Sequence, residues 1–224
     1  MHIEPGIVAG PKMALAYGTA AAAAAYTVKL TIDDLKTHSL GSFLVRTVIA
    51  AIGVFISFEV LPHFPVGISE VHFILGTTLF LILGAAPTAI GLAAGLLVQG
   101  MFFAPTDLPM YFVNVSTLLW PLFAIDVVAK RVIPATTAYV DLKYLDVLKL
   151  SLAYQGGVVA WVAFWAFYGQ GSGAENLGSI ASFGAVYMMV VLIEPLVDLA
   201  ALALAKALRP TSHSPLVTRR LYQA

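Results

Sequence analysis

The sequence contains no cysteine, which excludes disulfide bonds and thiolate ligands from its structure and chemistry. Any metal ion that the chain holds must therefore be bound by nitrogen and oxygen atoms. Charge is also scarce, because Asp, Glu, Lys and Arg make up 11% of the chain, against about 25% in average soluble domains. The formal net charge is zero, and no basic cluster suits a nucleic acid partner.

Several catalytic and transport signatures are missing as well. The sequence has no G-x-x-x-x-G-K-[ST] phosphate loop, so it does not itself hydrolyse ATP through that motif. Neither H-E-x-x-H nor G-x-S-x-G occurs, and both mark common classes of hydrolase. The two halves show no evident repeat of the kind that many secondary transporters carry. These absences weigh against an enzyme and against a stand-alone carrier.

Hydrophobic residues make up 60% of the chain, and the mean hydropathy is +0.90. The apolar runs are long and continuous, which predicts an all-α integral membrane protein in one transmembrane domain over residues 1–224. We expect a bundle of about seven transmembrane helices followed by a cytoplasmic tail at 209–224. The predicted spans are approximately 13–28, 42–61, 71–85, 87–103, 111–128, 150–168 and 179–208.

The distribution of positive charge predicts the orientation of these spans. With seven spans, only Lys12 of the 12 Lys and Arg residues falls on the side that carries the N-terminus. Positive residues accumulate in cytoplasmic loops, so we expect the N-terminus outside and the C-terminus in the cytoplasm. His2, His63 and His72 then lie toward the external face, with His72 about one turn into the third span.

Met1 and His2 together form a potential chelate. The Met1 α-amine, the His2 amide nitrogen and the His2 imidazole can occupy three corners of a square plane, a geometry that favours Cu(II) or Ni(II). A bulky residue at position two also favours retention of Met1, and a cleaved signal peptide would discard the chelate. If the N-terminal segment folds back into the bundle, an external metal ion could meet His2 and His72 together.

Four further polar residues lie toward the same face, and each has two interpretations. Glu70 could orient an imidazole from outside the ligand shell, or it could be a solvated loop residue. His63, between two prolines, could be an entry ligand or a surface residue. Gln99 and Asn114 lie in apolar spans, where amides often bridge helices, yet both fall in the half where a site would lie.

Two segments resemble a known family. The first is the start Met1-His2-Ile3 with a glycine at Gly6. The second consists of a histidine, a small turn, a glycine near a proline, a glutamine and an asparagine, here His72, Gly76-Thr77-Thr78, Gly84 with Pro87, Gln99 and Asn114. This pattern is similar to the substrate-specific membrane (S) subunit of cobalt and nickel energy-coupling-factor (ECF) ABC transporters, the CbiM/NikM type.

The resemblance implies a seven-helix fold in which the N-terminal segment inserts from outside. It implies a metal held by the Met1 amine, the His2 amide and imidazole, and the His72 imidazole. It also implies a transmembrane coupling (T) subunit, cytoplasmic ATPase subunits and, in some systems, a small accessory membrane subunit. The location would be the lipid bilayer of a bacterial or archaeal cytoplasmic (inner) membrane.

We therefore predict the substrate-binding component of an ATP-driven uptake system for Ni²⁺ or Co²⁺; the nitrogen donors also suit Cu²⁺. The alternative is a non-transporting membrane anchor or metal sensor of the same fold with a diverged pocket. The segment Ala104–Pro109 motivates this alternative, since family members commonly carry His-Gly-Gly there. An enzyme that uses the bound metal would need an open coordination position.

Overall fold

A computed structural model describes residues 2–208 and 214–223, so Met1 and most of the junction between the last span and the tail lie outside the described residues. Within this part of the chain, seven helices form the body of the molecule and a short eighth follows near the C-terminus. They are α1 (Met13–Leu35), α2 (Leu40–Phe55), α3 (Gly76–Leu83), α4 (Ala85–Phe102), α5 (Tyr111–Val132), α6 (Tyr144–Gln170), α7 (Ala174–Ala207) and α8 (Arg219–Tyr222).

Helices α1 to α7 overlap the seven predicted spans, and the predicted all-α membrane fold is confirmed. In the described ranges, five helical segments are long and apolar enough to cross a membrane: Leu40–Val60, Ala85–Phe102, Pro105–Val132, Tyr144–Gln170 and Ala174–Ala207. Seven transmembrane helices were predicted, and the first of them, in α1, is not among these five. Helix α3 has only 8 residues, so it is too short to cross a membrane alone. It follows a loop within the third predicted span, and that loop contains His72.

Helices α2 and α4 pack at very short range, because α4 presents glycine to α2. A Cβ atom added to Gly91 would lie 2.3 Å from the Ala50 Cβ, and one added to Gly95 would lie 2.7 Å from a Val54 methyl. Small residues allow membrane helices to approach closely and so gain van der Waals contact. This contact holds α4 against α2.

A β-hairpin covers one end of the bundle, which we call the hairpin end. Strands β1 (Phe64–Val66) and β2 (Ser69–Val71) are antiparallel, with Val66 opposite Ser69. Gly67 in the turn has φ of +60°, and a Cβ atom there would lie 2.2 Å from the Ser179 carbonyl oxygen. Both the backbone conformation and the approach to α7 therefore require glycine.

The N-terminal segment pairs with β2 as a further extended strand. Ile3 forms an isolated antiparallel bridge with Ser69. The Glu70 amide donates to the His2 carbonyl at 2.8 Å, and the Glu4 amide donates to the Ile68 carbonyl at 3.0 Å. Insertion of this segment into the end of the bundle, as predicted, is confirmed.

An ion pair and the C-terminal segment close the opposite end of the bundle. Arg46 is fully buried and its guanidinium contacts the Asp34 carboxylate at 2.5 Å. The same guanidinium donates to the Leu83 carbonyl at 2.5 Å. The amide of Thr218, just before α8, donates to the Ile82 carbonyl at 2.8 Å. These contacts fix the C-terminal end of α3, the helix that follows the His72 loop.

Candidate metal centre

Three side chains converge at the hairpin end. The Glu70 Oε2 atom lies 2.9 Å from His2 Nδ1 and 2.8 Å from His72 Nε2. One ligand atom from each of these residues lies within 4.8 Å of the others. Strand pairing explains the convergence, because the N-terminal segment lies beside β2, which carries Glu70, and His72 follows β2 directly. The two histidines predicted as metal ligands are thus brought together, with Glu70 between them.

Burial sets the protonation state of this cluster. The side chains of His2 and His72 are 3% and 0% exposed, and that of Glu70 is 23% exposed. Burial lowers the pKa of His2, and it lowers the pKa of His72 to about 2. Hydrogen bonds from the two imidazoles hold the pKa of Glu70 below its usual range. At neutral pH the cluster therefore consists of two neutral imidazoles and a carboxylate.

A second carboxylate, that of Asp107, approaches His2 from the loop before α5. This loop forms a short 3₁₀ segment, Pro105–Met110, and Asp107 Oδ2 lies 3.5 Å from His2 Nδ1. Asp107 was not among the residues predicted from the sequence, because no motif marks it as a ligand. In the described ranges, the ion pairs of Glu70 and Asp107 are with histidine, and none is with a Lys or Arg side chain. The centre therefore has an excess of negative charge, which favours a cation.

Asn114, predicted near the site, anchors the N-terminal segment. Its side chain is 1% exposed, and its Oδ1 accepts a hydrogen bond from the Ile3 amide at 2.8 Å. Further along, the Gln170 side chain donates to the carbonyls of Gly6 and Ile7, each at 3.0 Å. Asn114 therefore orients the backbone next to His2 rather than contributing an atom to the cluster.

Gln99, the other predicted amide, contacts the backbone of an aromatic residue that packs against the two histidines. Its Nε2 lies 3.4 Å from the Phe58 carbonyl and 3.3 Å from Glu59 Oε2. Phe58 belongs to a π-helical turn, Ile56–Val60, and π-helical turns are frequent at functional sites. The Phe58 ring packs against His2 and His72, with centroid distances of 5.8 and 5.2 Å. Gln99 thus supports the apolar wall of the centre.

His63 lies beside the centre but outside the group of converging ligand atoms. Its ring stacks on His72 with centroids 4.9 Å apart and an angle of 14° between the planes. The Nδ1 of His63 contacts the Leu61 carbonyl at 3.1 Å. The half-buried His63 ring therefore covers His72.

Glu194 of α7 supports the His72 loop, a role that was not predicted from the sequence. Glu194 is 1% exposed, and its carboxylate accepts hydrogen bonds from the Ile74 amide and the Gln155 side chain. Leu75, which follows Ile74 in this loop, has a φ of 57° and is the only non-glycine residue with positive φ in the described part of the chain. Such a conformation persists only where the surroundings impose it. Glu194 therefore helps to hold the loop that presents His72.

Comparison with known proteins identifies the family of the chain. The sequence model of a protein family described as the cobalt uptake substrate-specific transmembrane region matches residues 2–212. The match includes every residue of the centre described above. Searches of curated proteins and of solved structures gave no significant match.

Proposed function

Because the chain belongs to the family of cobalt uptake substrate-specific transmembrane regions, we propose that it captures Co²⁺ or Ni²⁺ for an ATP-driven uptake system. It is a multi-pass membrane protein of a transport family. In this proposal it serves as the substrate-binding S component of an ECF-type transporter, and coupling to ATP is left to partner subunits. The transported ion is the substrate, and the protein performs no reaction on it.

One observation carries this proposal: His2 and His72 are buried and neutral around one carboxylate oxygen. Neutral imidazole is a common ligand for divalent transition metals. His2 and His72 are far apart in the sequence, so the site exists only when the N-terminal segment is folded into the bundle. We propose that the Met1 amine and the His2 amide complete a four-nitrogen set with the two imidazoles, although Met1 lies outside the described residues.

The N-terminal chelate can be tested by lengthening the chain. Two glycines added before Met1 displace the free amine from its position relative to the His2 amide, whereas a single glycine would make the histidine third in the chain and create a new chelate of amine, two amides and imidazole. We expect at least a 100-fold loss of Ni²⁺ affinity relative to the unextended protein, because the first chelate ring is lost; isothermal titration of the purified proteins measures it. Addition of two glycines after the C-terminus is the matched control and should change nothing. Equal affinity in both extended proteins would exclude the amine as a ligand.

The pH dependence of binding provides an independent test. Metal binding releases protons from its ligands, and an α-amine ordinarily titrates at about 7.7–8.0. The imidazoles add little in this range because burial lowers the pKa of His2 and His72. We therefore expect affinity to fall by about tenfold or more per unit as pH falls from about 7.5 to 6. A flat profile there would mean that neither amine nor amide binds the metal.

The partners and the orientation belong to the same proposal. The hairpin end would face outward, so that metal arrives at the centre from outside the cell, and α8 would face the cytoplasm. Ala14, Gly18 and Ala22 form an exposed face of small residues on α1, and a Cβ atom on Gly18 would meet nothing within 4 Å. This face suits close docking of a coupling-subunit helix, and cytoplasmic ATPases would complete the transporter.

A further inference from the structure

We propose that Asp198 of α7 binds a Na⁺ ion together with the hydroxyl groups of Thr78 in α3 and Ser151 in α6. These residues lie inside the helix bundle, where α3 packs against both α6 and α7. The site would be separate from the centre at the hairpin end, and its ion would be a fixed part of the fold rather than the transported metal. A cation held there would tie three helices together within the membrane.

Two buried carboxylates lie one turn apart in α7, and they differ in how their oxygens are satisfied. Glu194 accepts a hydrogen bond at each oxygen, one from the Ile74 amide and one from the Gln155 side chain. Asp198 accepts one from the Thr78 hydroxyl at Oδ1, while its Oδ2 has no hydrogen-bond partner in the described part of the chain. Asp198 is only 2% exposed. A buried carboxylate oxygen without a partner is costly, so Asp198 has an oxygen available for a ligand and Glu194 does not.

The Ser151 hydroxyl is a second buried group without a partner. Ser151 is fully buried and neighbours Asp198, yet its Oγ has no hydrogen-bond partner of normal geometry among the described residues. A buried serine in a helix can donate to a carbonyl of the preceding turn, as Ser116 does to Val113. Ser151 forms no such bond. An unsatisfied hydroxyl and an unsatisfied carboxylate oxygen therefore lie side by side in the bundle.

Positive charge is missing around the two carboxylates. Within the described ranges, the ion pairs of Lys and Arg are with other acidic residues, namely Asp33, Asp34, Asp126 and Asp146. An ionised carboxylate inside a membrane protein is expensive without an opposite charge, and a second carboxylate nearby increases the cost. A bound cation supplies the opposite charge.

The donor atoms and the available space favour Na⁺. Carboxylate and hydroxyl oxygens suit hard cations, whereas Co²⁺ and Ni²⁺ are well served by imidazole. The cavity lined by Thr78 and Asp198 has a volume of about 10 Å³, which is about the space of one water molecule. A bare Na⁺ ion fits this space, but Mg²⁺ usually keeps several waters. The cavity also reaches Tyr139 and Leu221, so the ion would enter from the end opposite the hairpin.

The test is the unfolding temperature of the purified full chain in detergent, measured from about 1 to about 300 mM NaCl with choline chloride keeping the ionic strength constant. An ion that binds only the folded state raises this temperature, and we expect a rise of several degrees. The Asp198→Asn protein should lose the rise. The Ser151→Ala protein keeps the carboxylate but lacks one ligand, so the Na⁺ concentration that gives half of the rise should increase by about tenfold.

Ser116→Ala is the matched control, because Ser116 is also fully buried but its hydroxyl already donates within α5. It should keep the full response to Na⁺. If Asp198→Asn does not fold, the difference between Ser151→Ala and Ser116→Ala still decides the question, and equal responses of these two proteins would overturn the Na⁺ site.

Three other results would also overturn it. One is an equal rise in Asp198→Asn, and another is an equal rise when K⁺ replaces Na⁺, since the effect would then not come from a selective site at this carboxylate. The third is an unmodified protein that does not respond to Na⁺ but loses stability as the pH rises. In that case the Asp198 carboxyl group would hold a proton and bond Ser151 directly, with no cation between them.

Discussion

Replacement of His72 by alanine should abolish metal capture. The variant removes one of two buried imidazoles and also leaves Glu70 with a single imidazole partner. Loss of a partner outside the ligand shell typically reduces metal affinity by about 10–100-fold. Removal of a ligand itself should therefore reduce the affinity by more than about 100-fold. Titration of purified protein with Co²⁺ and Ni²⁺ measures this directly.

His63→Ala is the matched control for His72→Ala. His63 stacks on His72 at 4.9 Å between ring centroids but contributes no atom to the converging group, so its loss should weaken binding much less than loss of His72. A thermal melt of each protein in detergent separates lost binding from lost folding. If His72→Ala melts normally and binds as tightly as His63→Ala, the proposed centre is wrong.

Replacement of Arg46 by alanine should strongly destabilise the protein. Arg46 is fully buried, and its guanidinium contacts both oxygens of Asp34, at 3.1 and 2.5 Å. Removal of one partner of a buried ion pair leaves an uncompensated charge and typically costs about 3–5 kcal/mol. It also leaves the Leu83 carbonyl without this donor. The unfolding temperature in detergent should fall by many degrees.

The chain contains a suitable comparison for Arg46→Ala. Lys36 and Asp33 also form an ion pair, at 2.6 Å, but their side chains are 66% and 50% exposed. Exposed pairs contribute about 0–1 kcal/mol, so Lys36→Ala should melt almost normally. Removal of both Arg46 and Asp34 should recover part of the lost stability, because no unpaired charge remains. Equal melting of Arg46→Ala and Lys36→Ala would contradict this interpretation of the buried pair.

The sequence was sufficient to predict an all-α membrane fold and the approach of two distant histidines, although the span predicted at 71–85 contains only the 8-residue helix α3. Continuous apolar runs predicted the membrane fold, and the topology placed His2 and His72 at one face. Asn114 and Gln99 were recognisable because amides are unusual in apolar spans. The hairpin at Phe64–Val71 was less accessible from the sequence, since its second strand also pairs with a segment far away in the chain, through the bridge between Ile3 and Ser69.

Three charged residues show where sequence reasoning ended. Arg46 was counted as one positive charge near a membrane face, yet its side chain is 0% exposed and paired. Glu194 lies in an apolar span, and only the tertiary structure reveals that it accepts a hydrogen bond from the His72 loop. Asp107 occupies a polar loop that resembles any solvated loop. Hydropathy reports the average environment of a segment, but it does not identify the partner of one side chain.

Anomalous X-ray scattering at the cobalt edge, from crystals of the protein grown with Co²⁺, tests the metal centre most directly. We expect one dominant peak within about 2.0–2.3 Å of a His2 nitrogen and a His72 nitrogen. The peak should be absent from crystals of His72→Ala grown in the same way. A dominant peak elsewhere in the protein, with none between these two histidines, would contradict the proposed capture of metal at the hairpin end.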